Sequence, residues 1–393
     1  MVILHFADVH ARDKGYDEIK ACLAEIIQVA HDNAPDLIVM AGDTFDSRMV
    51  RLDSQAAKLI FQAYQALADI APMVVVVGTP SHDGMAPEVL EQIRSNYDIW
   101  VPEKPEQFYL SNSRLVSVAI NPEAVISCIP APTKKFWEQS GQENQDIDET
   151  DQGIANALGV MMAGFGATAA EYDVPHILVG HFTVGGAQLS PTQTMVGRDI
   201  EISREQIGYA QADLVCLGHI HLAQDWIDDH IFYSGSISRL SFGELEDKGC
   251  YLHTIENGIL HSEFHKTPSQ KRLILSPDLT KNGNSIEAFL VAQKESDLRD
   301  AHVRLDIRVF QDEAGDLDED LIRAILPDVD IHIQRVPRET VRSAQILKVD
   351  HLRDKLTAMA ELRKEEIPAA ILTKADHLET MQADELLQMV SNG

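Results

Sequence analysis

Short apolar runs of strand length recur near the start of the chain, each followed by a polar loop and then by apolar residues at helical spacing. The first three runs are Val2 to Ala7, Asp36 to Ala41 and Met73 to Val77. We expect a helix after each run, the second over Asp53 to Asp69 and the third beginning near Ala86. Strands that alternate with helices indicate a largely parallel sheet.

Further strands are expected later in the same region. The runs at 176–179 and 213–217 each lead into a Gly-His pair. Shorter candidates indicate a second, more antiparallel sheet, and they lie at 107–110, 115–118, 125–129, 231–233 and 250–255. Two sheets with helices on their outer faces make an α/β fold, a four-layer α/β/β/α sandwich.

The pattern changes after about His265 and predicts a small α+β capping domain. His302 to Phe310 alternates apolar and polar residues, and Val329 to Val336 is a second strand candidate. From Val349 onward, helical spacing predicts two C-terminal helices separated by Pro368. The expected domains are therefore 1–265, 266–340 and 341–393, and a polar, acidic loop or helix start is expected at 134–151.

Composition limits the class of protein. With 393 residues, 45% hydrophobic and 24% charged, the chain has the composition of an ordinary globular protein. Its apolar runs fall far short of the roughly 20 residues that a bilayer-spanning helix needs. The start lacks a basic leader and a small-residue cleavage site, so we expect a cytoplasmic protein with no membrane contact. The wide spacing of the cysteines favours buried, reduced thiols at Cys22, Cys128, Cys216 and Cys250.

The charge is strongly acidic. Acidic residues outnumber basic ones by 62 to 33, which gives a formal charge of −29. Such a surface repels a polyanion, so a free-standing nucleic-acid-binding protein is disfavoured. Two hypotheses survive: the protein never meets nucleic acid, or its cations are local, as bound metals or on a partner chain.

Five of the predicted strands end in aspartate or histidine. The side chains concerned are Asp8, His10, Asp43, His82, His181, His219 and His221. Because ligands gather at the carboxyl ends of parallel strands, we expect these side chains to meet. Mixed carboxylate and imidazole ligands suit divalent Mn, Fe or Zn, and Asp43 has two oxygens with which it could bridge two ions. Two ions can lower the pKa of a shared water and clamp a phosphoryl group, which predicts phosphoester hydrolysis.

The motifs DVH, GDTFD, GTPSHD, VGHF and GHIH resemble those of the calcineurin-like metallophosphoesterase superfamily. Together with YSGS at 233–236, LSFGE at 240–244 and Lys248-Gly249, they resemble the SbcD branch of the double-strand-break repair nucleases, over roughly residues 1–265. The resemblance implies that one metal is held by Asp8, His10, Asp43 and His221, and the other by Asp43, Ser81, His181 and His219. His82 would stay unligated, free to donate a proton to the leaving oxygen or to stabilise charge in the transition state.

One position departs from the family pattern. The family loop usually reads GNH followed by an acidic residue, and its Asn amide oxygen is a ligand of the second metal. Here the residue before His82 is Ser81, in a longer loop with Thr79 and Pro80. A serine hydroxyl is shorter and a poorer ligand than an amide carbonyl, so we expect a retained but weaker second site.

The resemblance also implies a partner, an SbcC-type ATPase with long coiled coils on which the C-terminal helices of family members dock. Such a partner would supply the basic DNA-binding surface that this chain lacks. The implied function is that of a Mn-dependent exonuclease and endonuclease subunit acting in DNA end processing and repair. Arg12, Arg48 and Arg239 stand near the motif loops and are candidates for phosphate contacts.

Two other functions stay open. The acidic surface favours a phosphodiesterase that uses the same site on a small nucleotide or cyclic phosphodiester. Ser81 motivates a non-catalytic tethering subunit whose metal site serves structure. The sequence also leaves homodimerisation open, through helical surfaces near 53–69 and 86–96.

Overall fold

The computed structural model describes residues 1–84, 86–132, 147–191, 193, 200–281, 284–293, 298, 301–327, 329–338, 350–363 and 366–380. Of the polar stretch expected at 134–151, residues 134–146 lie outside the described residues, and a helix begins at Ile147. By its contacts the chain forms two units, one of Met1–Ile274 with Glu295–Arg304, and one of Leu275–Lys294 with Leu305–Gly393.

The α-helices of the described residues are α1 (Tyr16–Asn33), α2 (Gln55–Ala68), α3 (Ile147–Ala169), α4 (Arg204–Gly208), α5 (Ile286–Val291), α6 (Glu319–Ile325), α7 (Leu352–Arg363) and α8 (Ala369–Thr380). Local sequence explains where α2 starts, because the Ser54 side chain accepts a hydrogen bond from the amide of Ala57 and so caps the helix. The helix expected near Ala86 is a 3₁₀ helix, Ala86–Gln92.

The strands of the first unit are β1 (Val2–Phe6), β2 (Leu37–Met40), β3 (Met73–Val75), β4 (Ile99–Trp100), β5 (Glu106–Ser111), β6 (Arg114–Val116), β7 (Ala124–Ile129), β8 (His176–His181), β9 (Thr183–Val184), β10 (Glu201–Ile202), β11 (Leu214–Gly218), β12 (Gln224–Trp226), β13 (Ile231–Tyr233), β14 (Gly249–Glu256) and β15 (Ile259–Lys266). Three more follow: β16 (Lys271–Leu275), β17 (Ala301–Phe310) and β18 (Val329–Val336).

The first sheet has the strand order β15-β14-β1-β2-β3-β4. Strands β1 to β4 run parallel, as the alternation with helices predicts, and His5 of β1 pairs with Val39 of β2. On its other side β1 pairs with the antiparallel strand β14, where Tyr251 lies opposite His5. The carboxyl ends of β1, β2 and β3 consequently lie side by side.

The second sheet has the order β12-β13-β11-β8-β7-β5-β6 and mixes parallel and antiparallel pairs. Strands β7, β8, β11 and β13 are parallel, and β5, β6 and β12 pair antiparallel with their neighbours. The expectation that residues 250–255 belong to this sheet is wrong, because they form part of β14 in the first sheet. The predicted ligands accordingly follow strands of both sheets, namely β1, β2 and β3 of the first sheet and β8 and β11 of the second.

Three apolar layers confirm the predicted α/β/β/α sandwich. Helices α1 and α2 pack on the outer face of the first sheet, through residues such as Ile26 and Ile60. The two sheets bury Val39, Ile126 and Val179 between them. Helix α3 packs on the outer face of the second sheet. The four cysteines are all free and buried, as the sequence predicts.

In the second unit, α7 and α8 lie on either side of Pro368 and pair with each other. An ion pair between Arg353 and Asp376, and another between His351 and Glu379, join the two helices. A separate three-stranded sheet has the order β16-β17-β18, and residues 271–274 of β16 and 301–304 of β17 belong to the first unit. Within the part of the chain described here, no helix is both long and apolar enough to cross a membrane.

Candidate metal centre

The loops after β1 and β2 carry the first predicted ligands and run side by side. The amide of Asp8 donates to the carbonyl of Gly42 at 3.0 Å, and the amide of His10 donates to the carbonyl of Asp43 at 3.0 Å. Asp8, His10 and Asp43 all have positive φ angles, of 51°, 46° and 57°. This left-handed backbone is costly for residues with a Cβ, and strain of this kind concentrates at functional sites.

Asp8, His10 and His221 form the first group of ligand atoms, which lie within 4.8 Å of one another. The Nε2 atoms of His10 and His221 are 3.2 Å apart. Asp8 accepts the backbone amide of His219 on both carboxylate oxygens at 3.0 Å, which joins β1 to the loop after β11. Burial raises the pKa of the Asp8 carboxyl to about 7.

Asp43, His181 and His219 form the second group, also within 4.8 Å of one another. His181 Nδ1 lies 2.7 Å from the carbonyl of Ala41, and because a carbonyl only accepts, Nδ1 carries the proton. Its Nε2 then faces Asp43 Oδ2 at 3.4 Å. Burial opposes ionisation of His181, but the carboxylates of Asp43 and Asp8 and the carbonyl of Ala41 together raise the pKa of His181 to about 9.

Asp43 lies between the two groups. Its Oδ2 is 3.7 Å from His10 Nε2 and 3.4 Å from His181 Nε2. Burial alone would raise the pKa of Asp43, but the facing imidazoles of His181 and His10 hold it far below its usual range. The carboxylate is thus ionised, with one oxygen turned to a histidine of each group.

This donor set fits two divalent ions. Burial lowers the pKa of His10 to about 4 and that of His221 well below its usual value, so both imidazoles are neutral, the form that binds metals. Neutral imidazoles and buried carboxylates are the ligands that first-row divalent ions take. A cation beside Asp43 would also take the place of the proton that the carboxylate stabilises on His181.

Thr79, rather than Ser81, stands next to the second group. Its amide donates to Asp43 Oδ1 at 2.6 Å, and its hydroxyl lies 3.3 Å from Asp43 Oδ2 and 3.2 Å from His181 Nε2. Ser81 is exposed, and its carbonyl accepts the amide of Arg48. The preceding Gly78 permits this approach, because a Cβ there would collide with the backbone of Asp43.

His82 lies on the other side of the first group. Its Nδ1 is 3.1 Å from the carbonyl of Asp46 and therefore carries the proton, and Nε2 takes no part in that hydrogen bond. The ring meets that of His10 edge to face, with centroids 4.7 Å apart. His82 is only partly buried, so its imidazole is open to solvent and to a ligand.

Three further residues position the ligands and were not assigned a role from the sequence. Asp83 accepts the amides of Asp43, Phe45 and Gly78, which fixes the loops after β2 and β3 to each other. Its place directly after His82 in the motif was the signal that could have identified it.

Gln193 and Lys248 hold the loop after β11. Gln193 donates to the carbonyl of His219 at 2.6 Å and accepts the amide of His221 at 3.0 Å. Lys248 donates to the carbonyl of His221 at 2.9 Å while it pairs with Glu244 at 2.8 Å. Lys248 belongs to a recognised motif, but no pattern in the sequence distinguishes Gln193 from other surface glutamines.

The three candidate arginines differ in environment. Arg12 pairs with Asp46 at 3.2 Å, and Arg48 is exposed beside the loop that carries His82. The described contacts of Arg239 disfavour the predicted phosphate contact. Its side chain is buried, and the guanidinium donates to backbone carbonyls, among them those of Glu244 and Ser269. This arrangement leaves it no free donor face for a phosphate.

A cleft with a volume of about 1050 Å³ opens beside the loop after β3. Its lining includes Gly78, Pro80, Arg48 and the segment Pro130 to Pro132. A cleft of this size accommodates a ligand larger than inorganic phosphate. It adjoins Thr79 and thus the second group of ligands.

The four-layer fold and the paired ligand groups define a metal-dependent phosphoesterase. Residues 1–223, more than half of the chain, match the model of the calcineurin-like phosphoesterase family, and the chain belongs to that family. A solved dimetal phosphatase from Danio rerio is similar over 68% of this chain and 97% of its own, with 11% identity and a TM-score of 0.43.

Proposed function

We propose that this chain is the nuclease subunit of an SbcD-type DNA-processing complex and hydrolyses DNA phosphodiesters with two divalent ions, preferably Mn. The observation that carries the hydrolytic part is the position of Asp43, which faces a histidine of each ligand group. The DNA substrate and the ATPase partner are supported by the motifs YSGS, LSFGE and Lys248-Gly249, which continue the resemblance beyond the metal ligands.

In this proposal Asp8, His10, Asp43 and His221 hold one ion, and Asp43, His181 and His219 hold the other, with Thr79 beside it. Bound ions of this kind supply a water of lowered pKa and neutralise charge on the phosphoryl oxygens. The protein keeps His10 and His221 neutral by burial and orients His181 through the Ala41 carbonyl.

His82 is the proposed proton donor to the leaving oxygen. Its Nδ1 is held by the carbonyl of Asp46, so a proton on Nε2 can be transferred without turning the ring. Arg48 is exposed on the adjacent loop, where it can contact a phosphate of the bound strand. The cleft beside Pro80 offers room for the nucleotides that flank the cleaved bond.

The acidic charge is compatible with DNA as substrate if the partner supplies the cations. A formal charge of −29 leaves little long-range attraction for DNA in the isolated chain. We assign the docking of the coiled-coil ATPase to α7 and α8. Their exposed apolar side chains include Met359, Ile371 and Leu378, which are 38%, 47% and 58% exposed.

A nuclease assay tests the proposal. End-labelled linear DNA is incubated with the protein, with and without Mn and the partner ATPase, beside Asp43→Ala. We expect cleavage that needs Mn, rises with the ATPase and is lost in the variant. Rapid hydrolysis of a cyclic dinucleotide with intact DNA would favour the small-substrate function. Absence of hydrolysis on both substrates, with one ion or none per chain, would favour a tethering subunit.

A further inference from the structure

A group of possible ligands that shares no residue with the metal centre lies between the two sheets. His5 of β1, His253 of β14 and Cys216 of β11 are fully buried, and one ligand atom of each lies within 4.8 Å of the others. His5 precedes Asp8 by three residues and Cys216 precedes His219 by three, which separates the cluster from the metal centre by roughly 10 Å along each strand. It is therefore a separate site.

The hydrogen bonds of both imidazoles leave one nitrogen of each facing the other. His5 Nε2 lies 3.2 Å from the carbonyl of Leu217, so Nε2 carries the proton and Nδ1 has a free lone pair. His253 Nδ1 lies 2.8 Å from Ser262 Oγ, a hydroxyl that can donate or accept this hydrogen bond, and it accepts when Nδ1 carries the proton. The remaining atoms, His5 Nδ1 and His253 Nε2, are 3.4 Å apart and can share a hydrogen bond in the metal-free protein. A metal ion would take the place of that bond, with the proton of His253 on Nδ1.

This arrangement is typical of metal-binding histidines. Two nitrogens that share one ion, with bonds of about 2.0 Å, stand about as far apart as His5 Nδ1 and His253 Nε2 do here. The other ring nitrogen of such a histidine is held by a hydrogen bond to a carbonyl or hydroxyl. The Leu217 carbonyl and the Ser262 hydroxyl have this role here. Burial also lowers the pKa of His5 to about 3, which keeps the ring neutral.

We propose that His5, Cys216 and His253 bind one copper ion, as Cu(I), in a buried two-histidine, one-cysteine site. Thiolate with two imidazoles in a trigonal set is a copper-binding combination. Binding replaces the thiol proton of Cys216, which is released, and the copper keeps its oxidation state. One thiolate and one monovalent ion make a neutral complex.

Charge decides between copper and a divalent ion. A divalent ion with one thiolate would leave a net positive charge in a region without solvent, which is costly. The walls are aromatic: the ring of Phe232 lies 4.8 Å from that of His253, and the ring of Tyr251 stacks on His253 at 5.4 Å. The apolar surroundings therefore favour the neutral copper complex.

The test counts copper and identifies its ligands. Metal-free protein is given one equivalent of Cu(I) without oxygen, both as folded protein and during refolding from denaturant, against a Cu(I)-specific chelator. X-ray absorption then reports the ligands. We expect one retained ion with one sulfur and two nitrogen neighbours. The sulfur identifies the site, because the ligand groups of the metal centre contain no cysteine.

Cys216→Ser should lose the sulfur neighbour and weaken Cu(I) binding by about tenfold or more. Cys128→Ser is the matched control, since Cys128 is a fully buried, free cysteine of β7 in the same sheet, and it should bind as the wild type does. Circular dichroism and thermal melting check folding, and Cys216→Ala serves if the serine variant unfolds. The proposal is overturned if neither loading procedure retains copper, if sulfur is absent, or if Cys128→Ser loses copper equally. None of these readouts depends on hydrolysis.

Discussion

The backbone amide of Asp43 donates a hydrogen bond to the carboxylate of Asp83 at 3.0 Å, so the residue that faces both ligand groups is itself held by a second acid. The same carboxylate accepts the amides of Phe45 and Gly78. Asp83 is fully buried and touches three backbone donors, two of them in the loop after β2. The geometry of the metal centre thus depends on a residue outside the ligand set.

We expect Asp83→Asn to lower the free energy of unfolding by about 2–3 kcal/mol, because an amide nitrogen replaces an acceptor oxygen opposite buried N–H groups. Mn-dependent hydrolysis of a chromogenic phosphodiester should fall with it, since the backbones of Asp43 and Gly78 lose a shared acceptor. Urea denaturation and activity measure the two effects. Asp69→Asn is the control, because Asp69 also accepts a backbone amide but is exposed, and it should change neither quantity by much. Equal effects of the two variants would refute the role of Asp83.

The loop after β3 supports a second prediction. The hydroxyl of Thr79 faces Asp43 and His181, whereas Ser81 is exposed. Thr79→Val removes that hydroxyl at equal size, and we expect it to weaken binding of the second Mn ion by about tenfold or more. Thr79→Asn supplies the amide oxygen of the family pattern and should strengthen binding.

Isothermal titration of metal-free protein with Mn measures both affinities in these variants. Ser81→Ala is the matched control and should titrate as the wild type does. If Ser81→Ala loses the second ion while Thr79→Val keeps it, the original assignment of Ser81 from the sequence is right and Thr79 is not the residue that completes the site.

The candidate metal ligands could be predicted from the sequence because each lies at the end of a strand or within a few residues after it. Asp8 stands two residues after β1, and His181 is the last residue of β8, so strand periodicity alone brings them to a common edge. Their division between two sheets was not accessible, because the local pattern of a buried strand is the same in either sheet. The misplacement of residues 250–255 has this cause.

The loop conformation and the direction of side chains could not be predicted from the sequence either. Counting back from His82 selects Ser81, but the contacts of Asp83 fold the loop so that Thr79 faces the ligands. Arg239 stands close to a motif, yet its guanidinium turns inward to backbone carbonyls such as that of Glu244. Both outcomes depend on tertiary hydrogen bonds between distant segments, which periodicity does not report.

The proposed role of His82 as proton donor can be tested separately from metal binding. We expect His82→Ala to retain two Mn ions and to lose hydrolysis by roughly 10²- to 10⁴-fold, the contribution typical of a general acid. A substrate with a good leaving group, such as a nitrophenyl ester, should be affected less than DNA, since its leaving oxygen needs no proton. His31→Ala is the control, because His31 is exposed at the end of α1. Unchanged DNA cleavage by His82→Ala would exclude the role.

Lys248 allows a test of the contacts that hold the backbone of His221. Its ammonium is buried, pairs with Glu244 at 2.8 Å and donates to the carbonyl of His221. Lys248→Met leaves the carboxylate of Glu244 buried without its partner, and we expect a loss of about 3–5 kcal/mol in the free energy of unfolding.

Adding Glu244→Gln to Lys248→Met should recover part of that stability, because the uncompensated charge is removed. Lys266→Met is the control: Lys266 pairs with Asp247 at the surface, where an ion pair contributes about 1 kcal/mol or less. Urea denaturation of the wild type, Lys248→Met, Glu244→Gln and the double variant forms a double-variant cycle. If the double variant is no more stable than Lys248→Met alone, the unpaired carboxylate of Glu244 is not the cause of the lost stability.

Acid should destabilise the metal-free protein through His5 and His253. Burial lowers the pKa of His5 to about 3 and that of His253 well below the ordinary value of 6.5. Between those values the unfolded chain binds protons that the folded chain does not, so stability falls as the pH drops below 6.5. Each such histidine contributes a slope of up to about 1.4 kcal/mol per pH unit. His253→Phe keeps an aromatic ring beside Tyr251. In the presence of a chelator, its free energy of unfolding should therefore fall less between pH 7 and pH 5 than that of the wild type. His31→Ala should follow the wild type, and parallel curves for all three proteins would contradict the assignment.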